Sequence, residues 1–299
     1  MGIRRARSAL PTGISSIIGP VMTVISVRST LHYEVKCATT LLVNVAVAST
    51  PRQRILHERF VVTPAVAETP LPVGEERNRF VRLLLEPGET IIRYGASVEL
   101  DHHTEAPPEI EETDYSSLPP NVLSYLNPSR YCESDRLANF ALAEFGAMER
   151  NFERVNSICD WIHKNIEYRS GTTTSLSTAC DVLLQRMGVC RDFAHLGISF
   201  CRALGVPARY VSGYACELEP PDFHGFFEAY LSGRWYLFDP TRLAPTAGLV
   251  RIGVGRDAAD AAFATIWGSA TLKAKTVVAE MVTDDALAPD GDALALSMA

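Results

Sequence analysis

A chain of 299 residues, 47% hydrophobic and 21% charged, is long enough to bury a full core and to divide into two domains. Its net charge of −7, without any dense Lys/Arg run, excludes an extended surface that tracks a phosphate backbone, so nucleic acid is not an expected partner. Seven cysteines, at 37, 132, 159, 180, 190, 201 and 216, show no regular spacing and no CxxC pair; this argues against a disulfide framework or zinc ribbon and fits reduced thiols in a cytoplasmic protein.

Residues 1–21 carry Arg4, Arg5 and Arg7, but Pro11, Gly13, Ser15 and Ser16 interrupt the apolar run that a signal segment needs. A disordered leader is expected there, with order beginning near Met22. No segment approaches the roughly 18 continuous apolar residues of a membrane span, so no membrane partner is expected. From Val24 to Leu100 the pattern is strand-like. Leu31, Tyr33 and Val35 alternate with His32, Glu34 and Lys36; Ile92, Tyr94, Ala96, Val98 and Leu100 alternate again; Pro51, Pro64, Pro70, Pro72 and Pro87-Gly88 punctuate the runs. This predicts a small β-sandwich over 22–103. His102 and His103 beside Asp101 read as a polar strand end rather than a metal site.

Residues 104–121 are acidic and proline-rich, which resists helix and sheet and predicts a solvated linker. A second domain is expected over 122–283. Helical spacing starts after Pro128: Ser134-Asp135 can cap a helix running to Gly146, and a second helix puts Val155, Ile158, Ile162 and Ile166 on one face, with His163 as a surface or packing residue rather than a ligand. Thr178 can cap a third helix. The chain then turns at Gly188 into Cys190, and Phe193, Leu196, Phe200, Cys201 and Leu204 recur at three-and-four spacing up to Gly205 and Pro207. Cys190 therefore begins a helix, where unpaired N–H groups and the helix dipole stabilise a thiolate. Cys201, on the apolar face, reads as a small inert hydrophobe.

Strands follow at 208–214, 224–231 and 234–239, with Ser232-Gly233 as the turn of the last pair. A two-residue turn sets Leu231 opposite Arg234 and Asp239 opposite Phe226, so His224 shares a face with Asp239, one diagonal step away. A three-residue turn would separate them. If the Cys190 helix packs on that face, His224 can take the thiol proton while Asp239 fixes its tautomer, which makes Cys190, His224 and Asp239 the candidate catalytic residues. The Cys190 backbone N–H is the first oxyanion donor, and a second is sought in the loop Tyr168–Ser177. A metal site of Cys180, Cys190, His195 and His224 is disfavoured, because His195 lies five residues along the helix from Cys190 and points well round from it. His195 is expected to pack beside the site, and Asp192 to brace the first helical turn. Leu272–Val282 reads as one more strand, and 284–299 as a disordered tail.

Four blocks, Gly188-Val189-Cys190-Arg191-Asp192, Tyr210-Val211-Ser212-Gly213-Tyr214, Phe223-His224-Gly225-Phe226 and Trp235-Tyr236-Leu237-Phe238-Asp239-Pro240-Thr241, resemble the core motifs of the transglutaminase-like superfamily in order and spacing. The resemblance covers about 160–243. The stretches 126–132 and 255–263 also resemble bacterial members that place a β-rich region before the catalytic domain, known as transglutaminase-like proteins or candidate cysteine proteases. It implies an α+β fold, a papain-like core with helices packed on an antiparallel sheet, Cys190, His224 and Asp239 as a triad, and neither metal nor organic cofactor. It also implies an upstream aromatic or amide side chain in the oxyanion hole, which the motifs do not assign. The implied reaction is acyl transfer from peptide or glutamine-type amides through a thioester. Hydrolysis by a cysteine protease or amidase is preferred, because transamidation needs a second substrate groove. A protein-glutamine transamidase and a binding module without turnover are the alternatives. The expected partner is a peptide or protein substrate, and the sequence leaves the oligomeric state open.

Overall fold

Alternation decides the first element. In the computed structural model, which describes residues 23–282 and 295–298, strand β1 (Thr23–Val35) buries every odd-numbered residue and leaves those between half-buried or exposed. The leader expected over 1–21 lies outside the described residues. Strands β2 (Thr39–Val43), β3 (Gln53–Thr63), β4 (Glu68–Val73), β5 (Asn78–Leu85) and β6 (Gly88–Leu100) follow, then the short β7 (His103–Glu105). Next come helices α1 (Ser134–Phe145) and α2 (Phe152–Asn165), strand β8 (Glu167–Tyr168), helix α3 (Ala179–Gln185), strand β9 (Met187–Gly188) and helix α4 (Cys190–Ala203). The chain ends in β10 (Ala208–Ala215), β11 (His224–Leu231), β12 (Arg234–Phe238), β13 (Leu249–Gly255), β14 (Ala264–Trp267), β15 (Ala270–Met281) and β16 (Ala295–Ser297).

Two four-stranded sheets, ordered β15-β1-β6-β3 and β14-β2-β5-β4, enclose a core of Ile25, Leu41, Leu83 and Ile92 and form the front sandwich. A third sheet, β12-β11-β10-β13, is antiparallel throughout and carries the helices, so the fold is α+β. Phe193, Leu196 and Phe200 of α4 share a buried cluster with Phe227 and Ala229 of β11. The contact is close: a Cβ at Gly197 would lie 2.7 Å from the Phe227 ring. No helix among the described residues is long and apolar enough to cross a membrane.

Three stretches differ from the sequence expectations. Residues 264–281, assigned to the second domain, pair with the front sheets instead, β14 with β2 and β15 with β1. The reason is edge protection: β1 is a long, half-buried strand, and without β15 its outer row of backbone groups would be open. In the expected disordered tail, Ala295–Ser297 form β16, buried and paired with β7, while 283–294 and 299 lie outside the described residues. The acidic linker is not simply solvated. Ile110 is fully buried in the helical core, Glu112 pairs with Arg154 and Arg150 of the α2 region, and the Ser232 N–H donates to the Glu111 carbonyl. A carboxylate inside an acidic run pairs with an exposed cation 38 residues away and a buried one 42 residues away, which charge patterning cannot reveal.

Candidate active site

Local rules set the start of α4. Thr178 and Asp181 form a capping box on α3, and Arg186 closes that helix in the left-handed region at φ +57°. The chain then runs through β9, which pairs in parallel with β8, so that Tyr168 sits opposite Gly188. Asp192, in the first turn of α4, accepts from the Val189 N–H at 3.0 Å and from the Thr173 hydroxyl at 2.5 Å, while Arg191 donates to its other oxygen. It is a brace for the helix start and the upstream loop. Gly188 allows this, because a Cβ there would stand 2.8 Å from the Asp192 Cβ.

The hairpin supplies the other two groups. Ser232 and Gly233 both adopt positive φ, at +44° and +78°, as a two-residue type I′ turn requires, and Leu231 pairs with Arg234 and Phe227 with Phe238. Asp239 follows directly, and its Oδ2 lies 2.7 Å from His224 Nε2 with both side chains buried. The Thr241 N–H and hydroxyl donate to Asp239 Oδ1 at 2.9 and 2.8 Å, so one carboxylate oxygen is fixed and the other faces the imidazole.

One expectation about this packing fails. Helix α4 does not lie on the face shared by His224, Phe226 and Leu237; it covers the opposite face, with Gly225, Phe227 and Ala229. The thiol and the imidazole meet because α4 begins beside the first residues of β11. Gly225 has no side chain to hold the helix off: a Cβ there would lie 3.2 Å from the Arg191 Cα and 2.6 Å from the Tyr210 hydroxyl oxygen.

Electrostatics tie the groups together. Burial pushes the His224 imidazole down, but the Asp239 charge and hydrogen bond, followed by the Cys190 sulfur, override it and lift the value to about 10. His224 Nδ1 is buried with no hydrogen-bond partner. Tyr168 also belongs to the site. Burial and then the Cys190 sulfur push its phenol well above the usual value, while the Cys190 backbone N–H pulls the other way. The sequence reading reached only the loop that begins at Tyr168. Its signal was an aromatic residue 22 positions before the cysteine, in a strand of two residues that has no periodicity to read.

His195 packs, as expected. Its Nε2 accepts from the Ala258 N–H at 3.1 Å and its ring stacks on Tyr131 with centroids 5.2 Å apart; burial and then Arg191 push it down to about 3, so it is neutral. With that lone pair occupied, His195 is a poor metal ligand. Among the described residues no group of three or more His, Cys, Asp or Glu has a metal-holding arrangement.

A cysteine at a helix start beside an antiparallel sheet, with a His–Asp pair on adjoining strands, defines the class of transglutaminase-like α+β folds. The chain belongs to that superfamily. The family model of the transglutaminase-like superfamily matches residues 141–240, and that of the bacterial transglutaminase N-terminal domain matches 23–116. A crystal structure of a candidate cysteine protease from Cytophaga hutchinsonii is 41% identical, with a TM-score of 0.90 over 93% of this chain and 98% of that one. An uncharacterized protein of Mycobacterium leprae is 38% identical over 34% of this chain, and one of Mycobacterium tuberculosis 34% identical over 45%. These matches span 39% and 47% of the two mycobacterial proteins, less than half of each.

Proposed function

We propose that this protein is a cysteine-dependent acyl-transfer enzyme that cleaves peptide or glutamine-type amide bonds and passes the acyl group to water, with Cys190, His224 and Asp239 as its triad. One observation carries the reading: a buried imidazole is held by a carboxylate at Nε2 and feels the Cys190 sulfur. The 41% identical neighbour, itself named as a candidate cysteine protease, supports the same chemistry. The Cys190 sulfur attacks the amide carbon. The thiol proton passes through His224 to the leaving nitrogen, the C–N bond breaks, and a thioester remains. Water then gives a proton to His224 and attacks the thioester; the C–S bond breaks, a carboxylic acid leaves, and the thiol regains its proton. In both steps the negative oxygen is received by the Cys190 backbone N–H and the Tyr168 hydroxyl. No cofactor enters this sequence. Seven free cysteines support a reducing, cytoplasmic setting, and the substrate is a peptide or protein.

The test offers a glutamine-containing peptide with and without a primary amine and measures free ammonia, new amino termini and crosslinked product. Hydrolysis that disappears in Cys190→Ala, together with selective alkylation of Cys190 over the other six cysteines near neutral pH, is the expected result. Crosslinking that outpaces hydrolysis would make the protein a transamidase; no turnover and no selective labelling would leave a binding module.

A further inference from the structure

Tyr210 of β10 stands opposite Phe227 of β11, and both belong to the buried cluster beneath α4. Residues opposite each other share a face of the sheet, so the phenol lies on the side that α4 covers. Its oxygen reaches the first residues of β11: a Cβ at Gly225 would stand 2.6 Å from that oxygen and 3.2 Å from the Arg191 Cα. Gly225 follows His224 in the chain and Arg191 follows Cys190. The phenol oxygen therefore sits where the strand of the imidazole and the helix of the thiol come closest. The His195 ring packs against the phenol ring, with centroids 5.3 Å apart.

This hydroxyl has nothing to bond. Tyr210 is 2% exposed, yet its oxygen makes no hydrogen bond with any described residue. It keeps a little open surface, which the equally unpaired His195 Nδ1 lacks. An O–H stripped of water and left without an acceptor is costly, and a buried tyrosine normally finds one. The nearest charges are those of the site. After burial, the Cys190 sulfur acts most strongly on the phenol and lifts it further above its usual value; Arg191 opposes, and Asp192 and Asp257 follow. The group beside the nucleophile is thus a neutral donor.

We infer that Tyr210 is a further residue of the candidate site, its hydroxyl donating to the Cys190 sulfur once the thiol proton has passed to His224. The inference rests on Cys190 as the nucleophile. The phenol keeps its own proton throughout; it supplies a hydrogen bond that a thiolate accepts far better than a thiol or a thioester does. With the imidazolium as one donor and the phenol as a second, more of the sulfur is ionised before substrate arrives.

Tyr210→Phe removes one oxygen that bonds no described residue, so denaturant unfolding should find the variant as stable as the wild type or more so. Alkylation of Cys190 by iodoacetamide near neutral pH should slow about ten-fold, and amide hydrolysis should lose about ten-fold in kcat with KM nearly unchanged. A packing role alone moves neither rate, and equal alkylation in the two folded proteins overturns the proposal. Alkylation is read whether or not the protein turns over. A wild type that alkylates selectively but cleaves no amide sinks the enzymatic reading and leaves the Tyr210 contact standing. A wild type that turns over, matched by Tyr210→Phe in both assays, sinks the Tyr210 contact alone, and a wild type without selective labelling sinks both. If the variant does not fold, the tyrosine Cζ NMR signals of the intact protein decide: the Tyr210 resonance should move when Cys190 is alkylated, and a resonance that stays in place rejects the contact.

Discussion

Replacing Asp239 with asparagine tests the centre of the proposed mechanism, because Thr241 dictates what the amide must do. The Thr241 N–H donates to Oδ1 at 2.9 Å, so an asparagine keeps its carbonyl oxygen there and turns its NH2 toward His224 Nε2. Two donors cannot face each other. The imidazole must then be neutral with its proton on Nδ1, the nitrogen that has to receive the thiol proton, and the variant holds the wrong tautomer. The magnitude follows from the electrostatics. Asp239 and the cysteine lift His224 from 6.5 to about 10 against the pull of burial. At about 1.4 kcal/mol per pH unit, that is on the order of 5 kcal/mol in favour of the imidazolium. Without the charge, burial dominates and His224 falls below 6.5. An imidazole NMR titration should find a wild-type ring charged through neutrality that loses its proton near pH 10, and a variant ring already neutral at pH 7. Because the folded value is raised, the stability from this group is complete below pH 6.5 and is lost as pH rises through about 10. The urea-unfolding difference between the two proteins should therefore shrink over that window. Amide hydrolysis should drop about 10⁴-fold, by analogy with other triads that lose their acid. Equal ring titration in the two proteins would refute the reasoning.

Tyr168→Phe removes one oxyanion donor and should lower kcat about 100-fold with KM nearly unchanged, while stability shifts by less than about 1 kcal/mol because the ring is 39% exposed. Gly225→Ala forces a Cβ to within 3.2 Å of the Arg191 Cα; denaturant unfolding should register a loss of about 1–3 kcal/mol, and alkylation of Cys190 should change rate as the helix start is pushed away. Glu112→Gln leaves the buried Arg154 guanidinium without a counter-charge, and calorimetry should find the variant destabilised by roughly 3 kcal/mol with an unaltered thiol-labelling profile.

What could be read in the sequence was whatever short-range rules control. The start of α4 at Cys190 follows from Gly188 and the apolar spacing of Phe193, Leu196 and Phe200. The pairing of Leu231 with Arg234 follows from a turn whose two residues both tolerate positive φ, and that register puts His224 and Asp239 on one face. Long-range pairings left no such trace. Strand β15 reads as a strand, but its choice of β1 over the third sheet depends on a neighbour more than 200 residues away in sequence. Tyr168 is positioned by a parallel ladder of two residues, too short to produce a pattern.

The packing of α4 departs from the face expected for it. Had α4 covered the face of His224, the imidazole would lie under the helix, and Phe226 and Leu237 could not join the front core with Ile25 and Val27. Instead the sheet uses both faces: helices on one, the front sandwich on the other, and the thiol reaches the histidine at the end where the strand begins. This is why His224 is fully buried although it sits at a strand terminus, and why Asp239 can dominate its titration. The front sandwich thus supplies part of the low-dielectric surroundings in which the His–Asp pair acts, as a structural wall of the candidate site rather than a separate appendage.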